Sequence, residues 1–169
     1  MTSLRFGILT LSDRSARGER PDTSGPALAE AVAARGWQAQ HTAILPDDLE
    51  LIRAELISWC DSGRFDVILT TGGTGFAPRD VTPEATRQVI ERFTPGLDEA
   101  MRAASLQKTP HAMLSRAISG LRGTTLVVNL PGSPRAALEN FAVIAPALEH
   151  ALSLLNQSPD SERGHSAHG

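Results

Sequence analysis

Apolar and polar positions follow two rhythms along this chain. Four short segments, 4–11, 38–44, 66–71 and 124–130, are dense in β-branched or large apolar side chains and predict strands. The runs "VILTT" and "TLVVNL" in the last two are almost wholly apolar, as strands covered on both faces are. Helical spacing fills the gaps. Over 26–35, Leu28, Ala31 and Val32 share a side, and Gly36 follows as a left-handed stop. Over 49–62, Leu49, Ile52, Leu56 and the pair Trp59–Cys60 form an apolar face. A further helix is expected to open at Thr82-Pro83-Glu84, a hydroxyl cap followed by a first-position proline and an acid, and to carry Ala85, Val89 and Phe93 on one face. Helical patterns also cover 96–107 and, briefly, 110–119. The last, 134–155, contains Pro146, which predicts a kink or break.

Strands alternating with helices predict an α/β fold, a sandwich of three layers with a mostly parallel sheet between helices. No repeat or low-complexity linker divides residues 1–156, which are expected to form one domain. The polar stretch 157–169, with His165 and His168, is expected to be a disordered tail. A net charge of −3 gives no electrostatic footprint for nucleic acid or a membrane surface. No uninterrupted apolar run approaches the roughly 20 residues of a membrane span. The opening "MTSLRFGILTLSD" reads as a strand and not as a signal peptide. The single cysteine, Cys60, lies on a helical apolar face and is expected to be a buried thiol, which fits a reducing, cytoplasmic setting. The five histidines form no close pair on an ordered element, so a zinc site is not expected.

The chemistry gathers after the strands. The first is followed by Ser12-Asp13-Arg14, the second by Pro46-Asp47-Asp48, the third by "TGGTG" and then Arg79-Asp80, and the fourth by "NLPGSP", Asn129 to Pro134. In a parallel sheet these exits share the carboxyl edge, where open α/β folds bind ligands. Gly72, Gly73 and Gly75 would let backbone N–H groups approach an anion, with hydroxyls of Thr71 and Thr74 as added donors. The same loop could be only a tight turn, and Ser133 before Pro134 only a helix cap. Helix starts also bind anions, so cap and site are compatible there. Asp13 and Asp48 could likewise cap turns, and Asp48 is favoured as a cap because a helix follows it directly. Asp47 and Asp80 would repel phosphates unless a cation lay between them. Mg²⁺ resolves the conflict, since it takes one or two protein carboxylates and completes its shell with phosphate oxygens and water. A nucleoside triphosphate with its metal is the natural occupant. The chain has no GxxxxGK[ST], no GxGxxG and no GxSxG, which argues against a P-loop NTPase, a dinucleotide oxidoreductase and a serine hydrolase.

Three long motifs, "TTGGTGFAPRDVTPEAT", "TPGLDEAMRAASLQKTPHAMLSR" and "LVVNLPGSP", together closely resemble the molybdopterin adenylyltransferase family of molybdenum-cofactor biosynthesis, which includes bacterial stand-alone enzymes and the G domains of plant Cnx and animal gephyrin. The likeness covers about residues 4–155. It implies a Rossmann-like three-layer domain that assembles as a homotrimer and adenylylates molybdopterin with MgATP, releasing pyrophosphate. By the same resemblance, Asp47 and Asp80 are the catalytic, metal-handling aspartates, and Ser105 and Ser115 lie at molybdopterin-binding positions. The ligand-binding turns are Thr71, Gly72, Gly73, Thr74 and Gly75, then Asn129, Pro131, Gly132 and Ser133, with Ser12 and Asp13 after the first strand. Other proteins of cofactor biosynthesis are possible partners. The competing expectation is a non-catalytic molybdopterin-binding or carrier protein using the same crevice. Retention of both aspartates favours catalysis, because a binder of an anionic pterin gains little from two nearby carboxylates.

Overall fold

The computed structural model describes residues 3–156, so the expected tail 157–169 lies outside the described residues. The elements run β1 (Arg5–Leu11), α1 (Asp13–Ala16), α2 (Ser24–Ala33), β2 (Gln38–Leu45), α3 (Leu49–Asp61), β3 (Val67–Thr71), α4 (Thr82–Arg87), β4 (Arg92–Phe93), α5 (Pro95–Leu106), a 3-10 turn (Pro110–Leu114), β5 (Ser119–Arg122), β6 (Thr125–Leu130) and α6 (Pro134–Leu155). One six-stranded sheet has the order β2-β1-β3-β6-β5-β4. The four strands β2, β1, β3 and β6 are parallel, and the short β5 and β4 extend the sheet antiparallel.

Period-two alternation divides the core between two faces. Phe6, Ile8, Val67, Leu69, Leu126 and Val128 pack against Leu28 and Val32 of α2 and Phe141, Ile144 and Leu148 of α6. Leu9, Leu11, Ile68 and Val127 pack on the other side against Ile52, Leu56 and Trp59 of α3 and Ala85 of α4. The result is the expected three-layer α/β sandwich. Cys60 is buried there, and burial pushes its thiol up to about 12, so it behaves as an inert apolar filler.

Register fixes the geometry of the site. Leu11 pairs with Leu45, Thr10 with Thr71, and Thr71 with Leu130. All four parallel strands therefore end at one level.

Several sequence expectations are corrected. The helix at Thr82 is short: α4 ends at Arg87, and Phe93 sits exposed in β4. Thr82 is not its cap, because the N-cap position is Val81, which makes no side-chain cap bond, and the buried Thr82 hydroxyl donates to the Gly72 carbonyl at 2.9 Å. The pattern at 110–119 resolves into the 3-10 turn and the start of β5. α6 is not broken at Pro146. Pro146 and Ala142, whose carbonyl loses its i+4 donor, are both exposed, so that carbonyl lies on the solvent side while Phe141, Ile144, Ala145 and Leu148 anchor the opposite side. α6 is also long enough, at mean hydropathy 1.2, to cross a membrane by composition alone. Its apolar side is accounted for by the sheet it covers.

Candidate functional site

The carboxyl edge of the sheet carries two cavities separated by the glycine turns. A polar cavity of about 540 Å³ is bordered by Ser12, Asp47, Thr71, Gly72, Gly73, Asp80, Gly132 and Ser133. A second cavity of about 280 Å³ is bordered by Thr74, Gly75, Ser105, Ser115 and Pro131, with apolar walls from Met101, Leu114 and Ala136. The "TGGTG" loop thus faces the first cavity with its first half and the second with its last two residues. The "NLPGSP" turn is shared in the same way.

Close backbone packing is what places the turns. Gly72 adopts φ 105°, and a Cβ there would lie 2.3 Å from the Leu11 carbonyl. A Cβ on Gly132 would lie 3.3 Å from the Gly72 Cα, so the two turns stack backbone on backbone. Thr82 fastens the loop from below, its N–H donating to the Gly73 carbonyl at 3.2 Å alongside the hydroxyl bond to Gly72. Two expected donors are already used. The Gly72 N–H donates to the Leu130 carbonyl at 3.2 Å, and the Thr71 hydroxyl to the Pro131 carbonyl at 2.6 Å. Among the described residues, the N–H groups of Gly73, Thr74 and Gly75 donate to no protein group, nor do those of Gly132 and Ser133. An anion cradle therefore survives from both turns, with the positive end of the 22-residue α6 behind it.

Asp47 and Asp80 border the same cavity. Asp47 Oδ2 accepts the Asp13 N–H at 3.0 Å, while its buried Oδ1 has no partner among the described residues. Burial is the main influence raising the Asp47 carboxyl above its ordinary range, and the negative charges of Asp13 and Asp80 add to it. Asp80 Oδ2 accepts the Ala77 N–H at 3.0 Å, and no hydrogen bond reaches Oδ1 from the described residues. Two carboxylates with unclaimed oxygens beside an anion cradle fit a hard divalent cation shared with phosphate. Among the described residues no group of three or more His, Cys, Asp or Glu gathers to hold a metal, so the remaining ligands would come from a bound substrate and water.

The other sequence-selected residues divide. Ser12 caps α1, accepting from Ser15 N–H, and Ser133 caps α6, accepting from Ala136 N–H, yet both border the polar cavity. Asp48 caps α3, accepting from Leu51 N–H. Asp13 borders neither cavity. Asn129 is fully buried in the layer beneath, donating to Thr70 and Thr86 hydroxyls and accepting from Ile118 N–H. Ser105 accepts from Asn140 Nδ2 at 3.0 Å, and Ser115 from Ala117 N–H at 3.3 Å, each at the wall of the second cavity.

Sequence reading missed two groups. Thr10, Arg20, Asp22 and Ser24 also border the polar cavity, with Asp22 accepting from the Thr10 hydroxyl and Ser24 donating to the Gly132 carbonyl. The available signal was "PDTSG" just ahead of a helix, but it follows no strand. In the second cavity, Asp98 is buried with Oδ1 unpartnered, and burial raises its carboxyl above the ordinary range. Arg102, held by the carbonyls of Ser115 and Ala117, and Lys108, paired with Glu139 at 3.0 Å, stand at that wall.

Two cavities meeting at stacked glycine turns on the carboxyl edge of a parallel sheet define a two-chambered, ligand-binding α/β domain. The chain belongs to the probable molybdopterin binding domain family, whose model matches residues 7–150. It is 46% identical over 92% of its length to the molybdenum cofactor synthesis protein cinnamon of Drosophila melanogaster, of which it spans 26%. It is 39% identical to the molybdopterin adenylyltransferase of Helicobacter pylori strain J99, the match covering 92% of this chain and 89% of that one. Among solved structures, the molybdopterin biosynthesis enzyme MoaB of Thermus thermophilus superposes with a TM-score of 0.86 at 49% identity, covering 92% of this chain and 98% of that one.

Proposed function

We propose that this protein is a molybdopterin adenylyltransferase of molybdenum-cofactor biosynthesis, transferring AMP from ATP to molybdopterin and releasing pyrophosphate. The observation that carries the proposal is the shared wall: one loop and one helix start border both cavities, and the aspartate pair stands on the polar side only. ATP takes the larger, polar cavity, its phosphates on the free N–H groups of Gly73, Gly132 and Ser133. The pterin takes the smaller, apolar-walled cavity, with Ser105, Ser115 and the cations Arg102 and Lys108 for its polar and anionic groups. An oxygen of the pterin substrate attacks the α-phosphorus across the wall, the bond to the β-phosphate oxygen breaks, and pyrophosphate leaves. No covalent enzyme intermediate is required, since positioning and charge carry such transfers.

Asp47 and Asp80 would hold Mg²⁺ in this reading. When bound, the ion neutralises charge on the phosphates as pyrophosphate departs. The chain's own task is to hold the two substrates at the turns and to keep one oxygen of each carboxylate free of other partners among the described residues.

The proposal further includes a homotrimer in the cytoplasm, supplied with molybdopterin by another protein of the same biosynthesis. Sedimentation equilibrium tests the assembly directly, with a monomer as the refuting result. Incubating the purified protein with molybdopterin and MgATP tests the activity: adenylylated pterin and pyrophosphate are expected in equal amounts. Pterin binding without either product would make the protein a carrier instead.

A further inference from the structure

Asp13 stands beside the polar cavity without bordering it; apart from its carbonyl, which accepts the Arg17 N–H at 3.1 Å, its bonds run to two residues. Its N–H donates to Asp47 Oδ2 at 3.0 Å, and its own Oδ1 accepts the Asp47 N–H at 3.0 Å. The two aspartates thus grip each other reciprocally, backbone to side chain, across the ends of β1 and β2. Arg79 closes the arrangement with a forked contact, Nε to Asp13 Oδ2 at 2.5 Å and Nη2 to Asp13 Oδ1 at 3.0 Å. The same Nη2 also donates to the Asp47 carbonyl at 3.1 Å. Asp47 is therefore held at its N–H, its carbonyl and one carboxylate oxygen. Only Oδ1 is left over, and it faces the Gly73 turn, where an added Cβ would lie 3.0 Å away.

We infer that Asp13 and Arg79 form a clasp that positions Asp47, and that Asp13 is a positioning residue and not a ligand-binding one. The inference rests on the proposed role of Asp47. Stability is not the clasp's main product, because Arg79 is 65% exposed and solvent-facing ion pairs contribute little to folding. Its product is orientation. A forked guanidinium fixes the Asp13 carboxylate in plane, which fixes the Asp47 backbone, which leaves Oδ1 at one place on the cavity wall. Arg79 precedes Asp80 directly, so the clasp also ties the loop bearing one aspartate to the turn bearing the other.

The test uses Asp13→Asn, which keeps an acceptor for the Asp47 N–H but loses the fork, and Arg79→Lys, which keeps the charge but not the geometry. Each is compared with wild type and with Asp47→Asn, and Asp13→Asn is also combined with Asp47→Asn. Pyrophosphate release is expected to fall about 10- to 100-fold in both single variants, as for groups that orient a metal-holding side chain. KM for ATP and for molybdopterin should stay within about threefold, since neither residue touches a substrate. In the Asp47→Asn background, Asp13→Asn should cost nothing further, because contributions through one residue are not additive. A readout independent of turnover is amide hydrogen exchange, in which the Asp47 N–H should lose protection in Asp13→Asn and Arg79→Lys without a global change. A tenfold additional loss in the double variant, or a rise in KM for ATP that accounts for the whole defect, would overturn the clasp alone. Wild-type turnover by Asp47→Asn would remove the role of Asp47, and the clasp with it.

Discussion

The two carboxylate oxygens of Asp80 differ in their surroundings. Oδ2 accepts the Ala77 N–H, closing the turn ahead of α4, and Oδ1 accepts no hydrogen bond from the described residues, while the residue borders the polar cavity. This division makes Asp80→Asn informative, because the amide oxygen can still accept from Ala77 while the charge is gone. The fold and molybdopterin binding should survive, and pyrophosphate release should drop about 10²- to 10³-fold, roughly 2.7–4 kcal/mol of lost electrostatic stabilisation. Melting temperature and release measured on one sample separate this from a turn-breaking effect, and normal turnover at saturating MgATP would exclude Asp80 from the chemistry. Ser115 is the matching test in the other cavity. Its oxygen accepts a long bond from Ala117 N–H, and its proton is unclaimed by the described residues. Ser115→Ala should weaken molybdopterin binding by about 1.5–3 kcal/mol, the range for a bond to a charged group, and leave nucleotide binding nearly unchanged. Separate titrations check this, and equal losses would refute the two-chamber assignment. At this scale the sequence marks the aspartates and glycine turns because they follow strands, a rule of position. Ser105 sits on α5 and Ser115 directly after the 3-10 turn, both far in sequence from any strand exit, and only the family resemblance points to them. Asp13 is legible as a residue but not in its bonds, since its contact with Arg79 spans 66 positions.

Elements obey the same logic of what local pattern can carry. The strands β1, β2, β3 and β6 are legible because each is at least five residues long and, except at the edge strand β2, nearly continuous in burial. The two residues of β4 and the four of β5, which include Gly120, are too short to show a period. α4 stops early because the chain bends after Arg87 to send Arg92–Phe93 along β5, a tertiary constraint absent from any local window. α6 shows the reverse case, in which packing overrides a breaker. Pro146 lies on its exposed side and removes one backbone bond without disturbing the contacts of Ile144 and Leu148. Pro146→Ala should therefore restore the bond to the Ala142 carbonyl and stabilise the protein. The helix-interior penalty of proline is about 3 kcal/mol, offset by about 0.4–1 kcal/mol of lost restriction in the unfolded chain. The solvent-facing position of the Ala142 carbonyl lowers that penalty, so a net gain of about 1–2 kcal/mol is expected, or about 2–4 °C in melting temperature per kcal/mol. A lower melting temperature would mean that the helix is shaped by the proline and not merely tolerant of it.

The whole molecule's response to pH is the sum of carboxylates displaced in opposite directions. Asp13 and Asp61 are held below the ordinary range by hydrogen bonds from Arg79 and Arg122, and Asp61 thereby joins the end of α3 to β5. Groups of this kind contribute stability that is present above their unfolded-state pKa and is lost as pH falls through the depressed folded value. Asp98 works the other way. Burial raises its carboxyl, with the hydrogen bond from Ser119 and the charge of Arg102 only partly opposing that influence. The folded state then binds its proton more tightly than the unfolded chain does, so stability from this group is complete below about pH 4 and declines as pH rises through the raised value. Ionising Asp98, with Oδ1 buried and unpartnered, is a cost to folding. Asp98→Asn should keep the bond from Ser119 N–H, shed the charge, and raise the melting temperature at pH 7. The gain should shrink as pH is lowered through the raised value and level off below the ordinary carboxylate range. Calorimetric melting of both proteins across pH 4–8 measures this difference while cancelling the contributions of Asp13, Asp61 and the other paired carboxylates. A difference that stays constant with pH would show that the Asp98 effect comes from packing or hydrogen bonding and not from its charge.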